Sequence, residues 1–166
     1  KTFVYITHSL EEAMVMSDRI AIMKDGRFEQ IAVADEIYSR PVSRFVAEFM
    51  GEVNLFEVAT EDGKTLSGDG LAGPVPSGLS PGAASLLMVR PEYIRFAANG
   101  EAADYTVKGR LLEEYALGSR IQYEIETPTG QVLTVEKLRE DRTQSDVGAE
   151  VTLGFDASNT HLIEAR

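Results

Sequence analysis

Residues 3–13 read FVYITHSLEEA, and what this stretch becomes decides how the rest of the chain is understood. Phe3–Thr7 is apolar on both faces, the pattern of a fully buried strand in a parallel sheet covered by helices. Ser9-Leu10-Glu11-Glu12 has the Ser-x-x-Glu form of a capping box. In it the Ser9 hydroxyl accepts from the Glu12 amide and the Glu12 carboxylate reaches back to the Ser9 amide. Leu10, Ala13 and Met14 follow at i, i+3 and i+4, an apolar stripe on a short helix ending near Asp18. His8, one of two histidines in the chain, stands at the joint. In open α/β sheets ligands sit beyond the carboxyl ends of the strands, where an imidazole can donate to a phosphate oxygen beside the amides of the next helix. A histidine that merely closes a strand and bonds a nearby carbonyl fits the same spacing.

Outward from this stretch, Arg19–Lys24 and Arg27–Ile31 flank Asp25-Gly26, a two-residue hairpin signal. Asp35-Glu36 opens another helix, which must end before Pro41 because proline restricts its predecessor. Ser43 caps a last helix with Phe45, Val46 and Phe49 on one side, closed by Gly51. Beyond Glu52 the helical period is lost. Asn54–Ala59, Leu86–Val89, Tyr93–Phe96, Tyr105–Tyr115, Arg120–Thr127, Gln131–Val135 and Glu150–Phe155 alternate or carry β-branched residues. Turn residues at Glu61-Asp62-Gly63, Gly68-Asp69-Gly70, Leu117-Gly118-Ser119 and Pro128-Thr129-Gly130 separate them. Gly68–Gly82, with five glycines and three prolines, reads as loop. The pattern is the tail of an α/β domain over 1–50 joined to an all-β barrel or sandwich over 51–166.

Composition narrows the function. The 166 residues are 43% hydrophobic, enough for a core, and no apolar run approaches the ~20 residues of a membrane-spanning helix. No secretory leader is visible. The chain starts at Lys1 with a strand at once, so it reads as part of something longer. Without cysteine it has neither disulfides nor thiolate metal ligands, as suits a cytoplasmic protein. The net charge is −11. Residues 1–50 carry six basic and eight acidic side chains, and 51–166 ten and nineteen, so the β part would repel a phosphate backbone. Nucleic acid is therefore not an expected partner.

The motifs carry a resemblance. Thr7-His8-Ser9-Leu10-Glu11-Glu12-Ala13, Met16-Ser17-Asp18-Arg19-Ile20, Met23-Lys24-Asp25-Gly26-Arg27, Gln30-Ile31 and Glu36-Ile37-Tyr38 through Pro41 are similar to the end of the ATPase subunit of ABC importers served by periplasmic binding proteins. Phe45-Val46-Ala47-Glu48-Phe49-Met50-Gly51-Glu52-Val53-Asn54 resembles the passage of those subunits into a C-terminal TOBE domain, an OB-like β-barrel. Val89-Arg90-Pro91-Glu92 and Glu114-Tyr115-Ala116-Leu117-Gly118 look like landmarks of that domain. The likeness is dense over 1–54, thinner over 83–122, and compositional elsewhere.

The resemblance implies an α/β fragment, the end of a P-loop ATPase domain, over 1–50 and TOBE over 51–166. It implies that His8 is the switch (H-loop) histidine that contacts the γ-phosphate of ATP in the complete subunit. There ATP and Mg²⁺ are used, two copies form a homodimer on transmembrane permease subunits, and the protein is cytoplasmic, peripheral on the inner face of the cell membrane. Ser9 stands where the family more often has Asp; both cap helices well. The phosphate loop, signature motif and Mg²⁺-holding carboxylate precede the H-loop in the family, and no G-x-x-x-x-G-K-[ST] occurs in this chain. The fragment alone is thus expected to be inactive and to hold no cofactor. The junction Gly51–Asn54 looks more like polyamine importers than sugar importers, with sugar and ferric iron left open. The alternative is a small-ligand, oxyanion-binding OB-like module with 1–50 as an appendage.

Other features read more plainly. Glu11 and Glu12 are adjacent on a helix and do not face each other. Met14, Met16 and Met23 read as core filler. Arg90-Pro91-Glu92 ends a strand and starts a turn. Arg139–Arg142 reads as a solvated loop, and His161 as the end of a strand. An apolar strand at Phe3–Thr7 lacking neighbours predicts pairing between chains, including exchange of residues 1–50.

Overall fold

The computed structural model describes residues 1–97 and 102–164, and the chain divides into two compact units, Lys1–Gly51 and Glu52–Arg166.

In the first unit Ser9 caps helix α1 (Leu10–Met16), accepting from the Glu12 amide. Strands β1 (Ile20–Lys24) and β2 (Arg27–Ala32) pair antiparallel with Lys24 opposite Arg27. Asp25 and Gly26 between them have φ of 51° and 75°, the two positive values that a type I′ hairpin turn requires. Helix α2 (Ala34–Ser39) ends ahead of Pro41, and α3 (Arg44–Phe49) is capped by Ser43. Ile20, Ile22 and Ala32 of the hairpin are buried in one cluster with Ile37, Val46 and Met50. The Gln30 side chain crosses Pro41: its Nε2 donates to the Arg40 carbonyl at 3.1 Å and its Oε1 accepts from the Val42 amide at 3.0 Å.

Three expectations fail here. Phe3–Thr7 is not a strand, and Phe3 and Ile6 are 87% and 88% exposed. A parallel strand needs a strand neighbour to bond, and the two strands of this unit bond each other. Among the described residues of Lys1–Gly51 there is accordingly no parallel sheet. Met14, Met16 and Met23 are exposed rather than core. Helix α3 turns Val46, Ala47 and Met50 inward and leaves Phe49 half exposed, because its apolar face is centred one residue away from the stripe read from sequence.

The second unit is almost wholly β: β3 (Asn54–Ala59), β4 (Ala84–Val89), β5 (Arg95–Phe96), β6 (Tyr105–Leu117), β7 (Arg120–Glu126), β8 (Val132–Leu138), β9 (Glu150–Phe155) and β10 (Thr160–Glu164). They form a three-stranded sheet, β10-β4-β3, and a five-stranded sheet, β5-β9-β6-β7-β8. All their pairs are antiparallel. Alternation along each strand sends one face into a shared core that includes Phe56, Leu87, Tyr105, Leu111, Tyr123, Leu133 and Phe155. Phe155 lies between Phe56 and Tyr105, with ring centroids 5.7 and 5.4 Å away. Strand β10 went unread in the sequence, and His161 lies near its start, paired with Met88, rather than at its end.

Side chains join the two sheets where no ladder runs. Asn54 on β3 holds Thr134 on β8 through both amide atoms, Nδ2 donating to the carbonyl at 2.7 Å and Oδ1 accepting from the amide at 2.8 Å. Gln131 Nε2 donates to the Leu55 carbonyl at 2.7 Å. Together they act as a substitute ladder between β3 and β8, closing the barrel at that seam.

The loop 60–83 is anchored on β3. Ser67 pairs with Ala59, and the Asp69 carboxylate accepts from the Glu57 amide at 2.7 Å. Gly68 between them has φ of 148°, and a Cβ there would stand 1.9 Å from the Glu57 carbonyl oxygen. Gly68→Ala is therefore expected to lose about 2 kcal/mol of stability, combining a strained φ with a displaced loop. Urea unfolding should show the midpoint moving down; a variant with the wild-type midpoint would mean that the loop closes elsewhere.

Candidate functional site

His8 stands one residue ahead of the Ser9 cap of α1, with its side chain exposed. The residues on either side of it are held. The Thr7 hydroxyl donates to Glu12 Oε2 at 2.8 Å and accepts from the Ser9 amide at 3.0 Å. The Tyr5 hydroxyl reaches the same Glu12 oxygen at 3.0 Å. The capping box is thus half formed: Glu12 N donates to Ser9 Oγ at 3.3 Å, but the Glu12 carboxylate is taken by Tyr5 and Thr7. Thr7 supplies the acceptor for Ser9 N that the box assigns to Glu12. The sequence had not pointed to Tyr5 or Thr7 as partners, although Thr7 lies at the i−2 spacing of a side-chain turn.

Arg90, Pro91, Glu92 and Gly118 lie in the other unit, and the end of β8 connects them. Arg90 is 1% exposed, and its Nη1 donates to the Glu52 carbonyl at 3.1 Å. Pro91 opens a 3₁₀ turn over Pro91–Tyr93, where its missing N–H costs nothing. Lys137 Nζ donates to the Glu92 carbonyl at 3.3 Å, and Arg139 Nη1 to the Gly118 carbonyl at 3.0 Å in the β6–β7 turn. Arg90 thus fastens a backbone carbonyl, while Glu92 and Gly118 are held by their own carbonyls, and Pro91 opens the turn read at Arg90-Pro91-Glu92.

Arg139–Arg142 is solvent-exposed, as read, and turns as a 3₁₀ helix over Arg139–Asp141. Two of its side chains are engaged as well, Arg139 on Gly118 and Arg142 in a two-point ion pair with Glu114. Its partners lie 21 and 28 residues away in the chain, a separation that local spacing does not reveal.

A shallow recess of about 430 Å³ beside β8 is lined by Arg95, Phe96, Lys137, Asp141 and Thr143. Arg95 is locked by Asp156, with Nη1–Oδ2 and Nη2–Oδ1 at 3.1 and 2.9 Å. This bonding holds the Asp156 carboxyl below its usual range. Burial pushes the Lys137 ammonium down, with Arg95 adding to the effect and Asp141 opposing it. Two cations, Arg95 and Lys137, and one carboxylate, Asp141, line the recess, and Arg95 is already paired with Asp156.

Among the described residues no group of three His, Asp or Glu side chains could hold a metal ion. One exposed imidazole is not a nucleotide site by itself. Nor is any helix among the described residues long and apolar enough to cross a membrane.

Residues 87–163 match the TOBE domain family. The chain is 38% identical over 173 residues to the spermidine/putrescine import ATP-binding protein PotA of Rubrobacter xylanophilus, covering 98% of this chain and 45% of that protein. It is 35% identical over 168 residues to the Fe(3+) ions import ATP-binding protein FbpC of Rhizobium etli, covering 99% of this chain and 46% of that protein. The chain thus spans about half the length of the curated relatives it matches. A structure of the cytoplasmic molybdate-binding protein ModG with molybdate bound superposes with a TM-score of 0.57 at 16% identity, covering 68% of this chain and 96% of that one. That likeness shows a shared OB-like fold. The chain carries a TOBE domain over residues 87–163 and, along nearly all of its length, corresponds to the C-terminal part of the ATP-binding subunits of ABC importers.

Proposed function

We propose that this chain works as the C-terminal part of the ATP-hydrolysing subunit of a polyamine importer. Residues 1–50 are read as the end of the nucleotide-binding domain and 51–166 as TOBE. His8 serves as the γ-phosphate contact of a site whose phosphate loop and Mg²⁺ ligands lie in the rest of the subunit. Two copies assemble as a homodimer on transmembrane permease subunits at the inner face of the membrane. The observation that carries this reading is the 38% identity to a spermidine/putrescine import ATP-binding protein over 98% of the chain. In this reading His8 donates a preorganised hydrogen bond where charge develops during phosphoryl transfer. Its contribution is positioning and charge stabilisation, not proton abstraction.

The test is ATP hydrolysis by the complete subunit assembled with its permease and binding protein. Polyamine should stimulate turnover; stimulation by ferric iron instead would favour the second reading, supported by 35% identity to an Fe(3+) importer subunit. The chain as given should show no ATP turnover above background, since no Gly-x4-Gly-Lys-Ser/Thr loop occurs in it. Turnover that tracks this chain and disappears in His8→Ala would overturn that expectation.

A further inference from the structure

Glu12 enters the helix cap through its amide, yet its carboxylate makes the more informative contacts. Oε2 accepts from the Tyr5 hydroxyl at 3.0 Å and from the Thr7 hydroxyl at 2.8 Å. Thr7 Oγ1 accepts in turn from the Ser9 amide at 3.0 Å, and Ser9 Oγ accepts from the Glu12 amide at 3.3 Å. Thr7 and Ser9 are the two chain neighbours of His8. Both are tied to one residue a helical turn ahead, while the imidazole between them stays exposed.

We propose that Glu12 is a positioning residue for His8, clamping Thr7 and Ser9 so that the imidazole is presented from a fixed backbone; this rests on the reading of His8 as the γ-phosphate contact. The clamp depends on an oxygen acceptor at this position. Hydrogen bonds to a carboxylate are roughly twice as strong as neutral ones, and two hydroxyls converge on one oxygen here. Glu12 needs no contact with nucleotide for this role. It acts through Thr7 and Ser9, and its loss lets the segment 5–9 sample conformations in which His8 points elsewhere. Misplacement of a reacting group by ~1 Å can cost up to about 10²-fold in rate.

The experiment uses the complete subunit. Glu12→Ala and Thr7→Val are each expected to lower kcat about tenfold with KM for ATP nearly unchanged, the mark of lost transition-state positioning. Glu12→Gln keeps an oxygen acceptor and should retain at least about half of the wild-type kcat. In the His8→Ala background, Glu12→Ala should lower kcat no further, since the group it positions is gone. A merely structural role would predict the same loss with or without His8. Should Glu12→Ala fail to fold, Thr7→Val carries the test, because it removes the clamp but leaves shape and the Ser9–Glu12 cap. Unchanged kcat in Glu12→Ala and Thr7→Val beside an impaired His8→Ala would overturn the proposal. So would an equal further loss in the His8→Ala background. If His8→Ala itself turns over normally, the reading of His8 falls first and the positioning role falls with it.

Discussion

In the complete subunit, His8→Ala is expected to cut ATP hydrolysis about 10²-fold or more while leaving ATP affinity nearly intact, by analogy with loss of one preorganised donor. The expectation starts from position: His8 is exposed and lies between two anchored neighbours, Thr7 and Ser9. An imidazole so placed can donate a hydrogen bond outward without folding the backbone anew at the moment of reaction. In the proposed reading, ground-state binding of ATP rests mainly on a phosphate loop in the rest of the subunit, so affinity should respond little. Single-turnover hydrolysis measured beside equilibrium nucleotide binding separates the two quantities. Weakened affinity with unchanged turnover of bound ATP would assign His8 another role.

The largest effect on folding is expected from Asn54→Asp in the TOBE-bearing unit. Asn54 is 3% exposed and satisfies both the amide and the carbonyl of Thr134. An ionised aspartate would keep the bond from the Thr134 amide but turn a second negative oxygen toward the Thr134 carbonyl. Burying that uncompensated charge should cost about 3–5 kcal/mol at pH 7. A protonated aspartic acid, by contrast, can donate to the carbonyl and accept from the amide, as asparagine does. Burial and the facing carbonyl both raise the folded-state pKa of this carboxyl above its unfolded value of about 3.9. The penalty is therefore full above the raised folded pKa and vanishes below the unfolded one. Relative to wild type at the same pH, the variant should be strongly destabilised at pH 7 and nearly equal near pH ~4. Asn54→Leu leaves both Thr134 groups unpaired and should lose about 1–3 kcal/mol at either pH. Chemical unfolding of the three proteins at both pH values decides this. A pH-independent deficit in Asn54→Asp would show that residue 54 is solvated.

What could be read from the chain alone was what short-range forces dictate. Asp25-Gly26 specifies its hairpin because both central residues must take positive φ. Ser9 and Ser43 start helices because a hydroxyl satisfies an amide three residues on. The alternation in Asn54–Ala59 and Glu150–Phe155 marks strands with one buried face. The motif around His8 belongs to the same class, since it consists of contiguous residues.

The tertiary structure decided everything that depends on partners far along the chain. Phe3–Thr7 has the composition of a buried strand, but composition supplies no neighbour to bond, and here Phe3, Val4, Tyr5 and Ile6 lie exposed and Thr7 half-buried. Arg90 is buried on the Glu52 carbonyl, 38 residues away, and Asn54 closes the seam on Thr134, 80 residues away. No local period encodes such pairs. Glu12 shows both sides of this division: its spacing from Ser9 announces a helix cap, while only the folded chain brings the Tyr5 and Thr7 hydroxyls onto its carboxylate. Local geometry selects elements residue by residue, whereas pairing across the fold is settled by which polar groups find partners once the apolar faces are buried together.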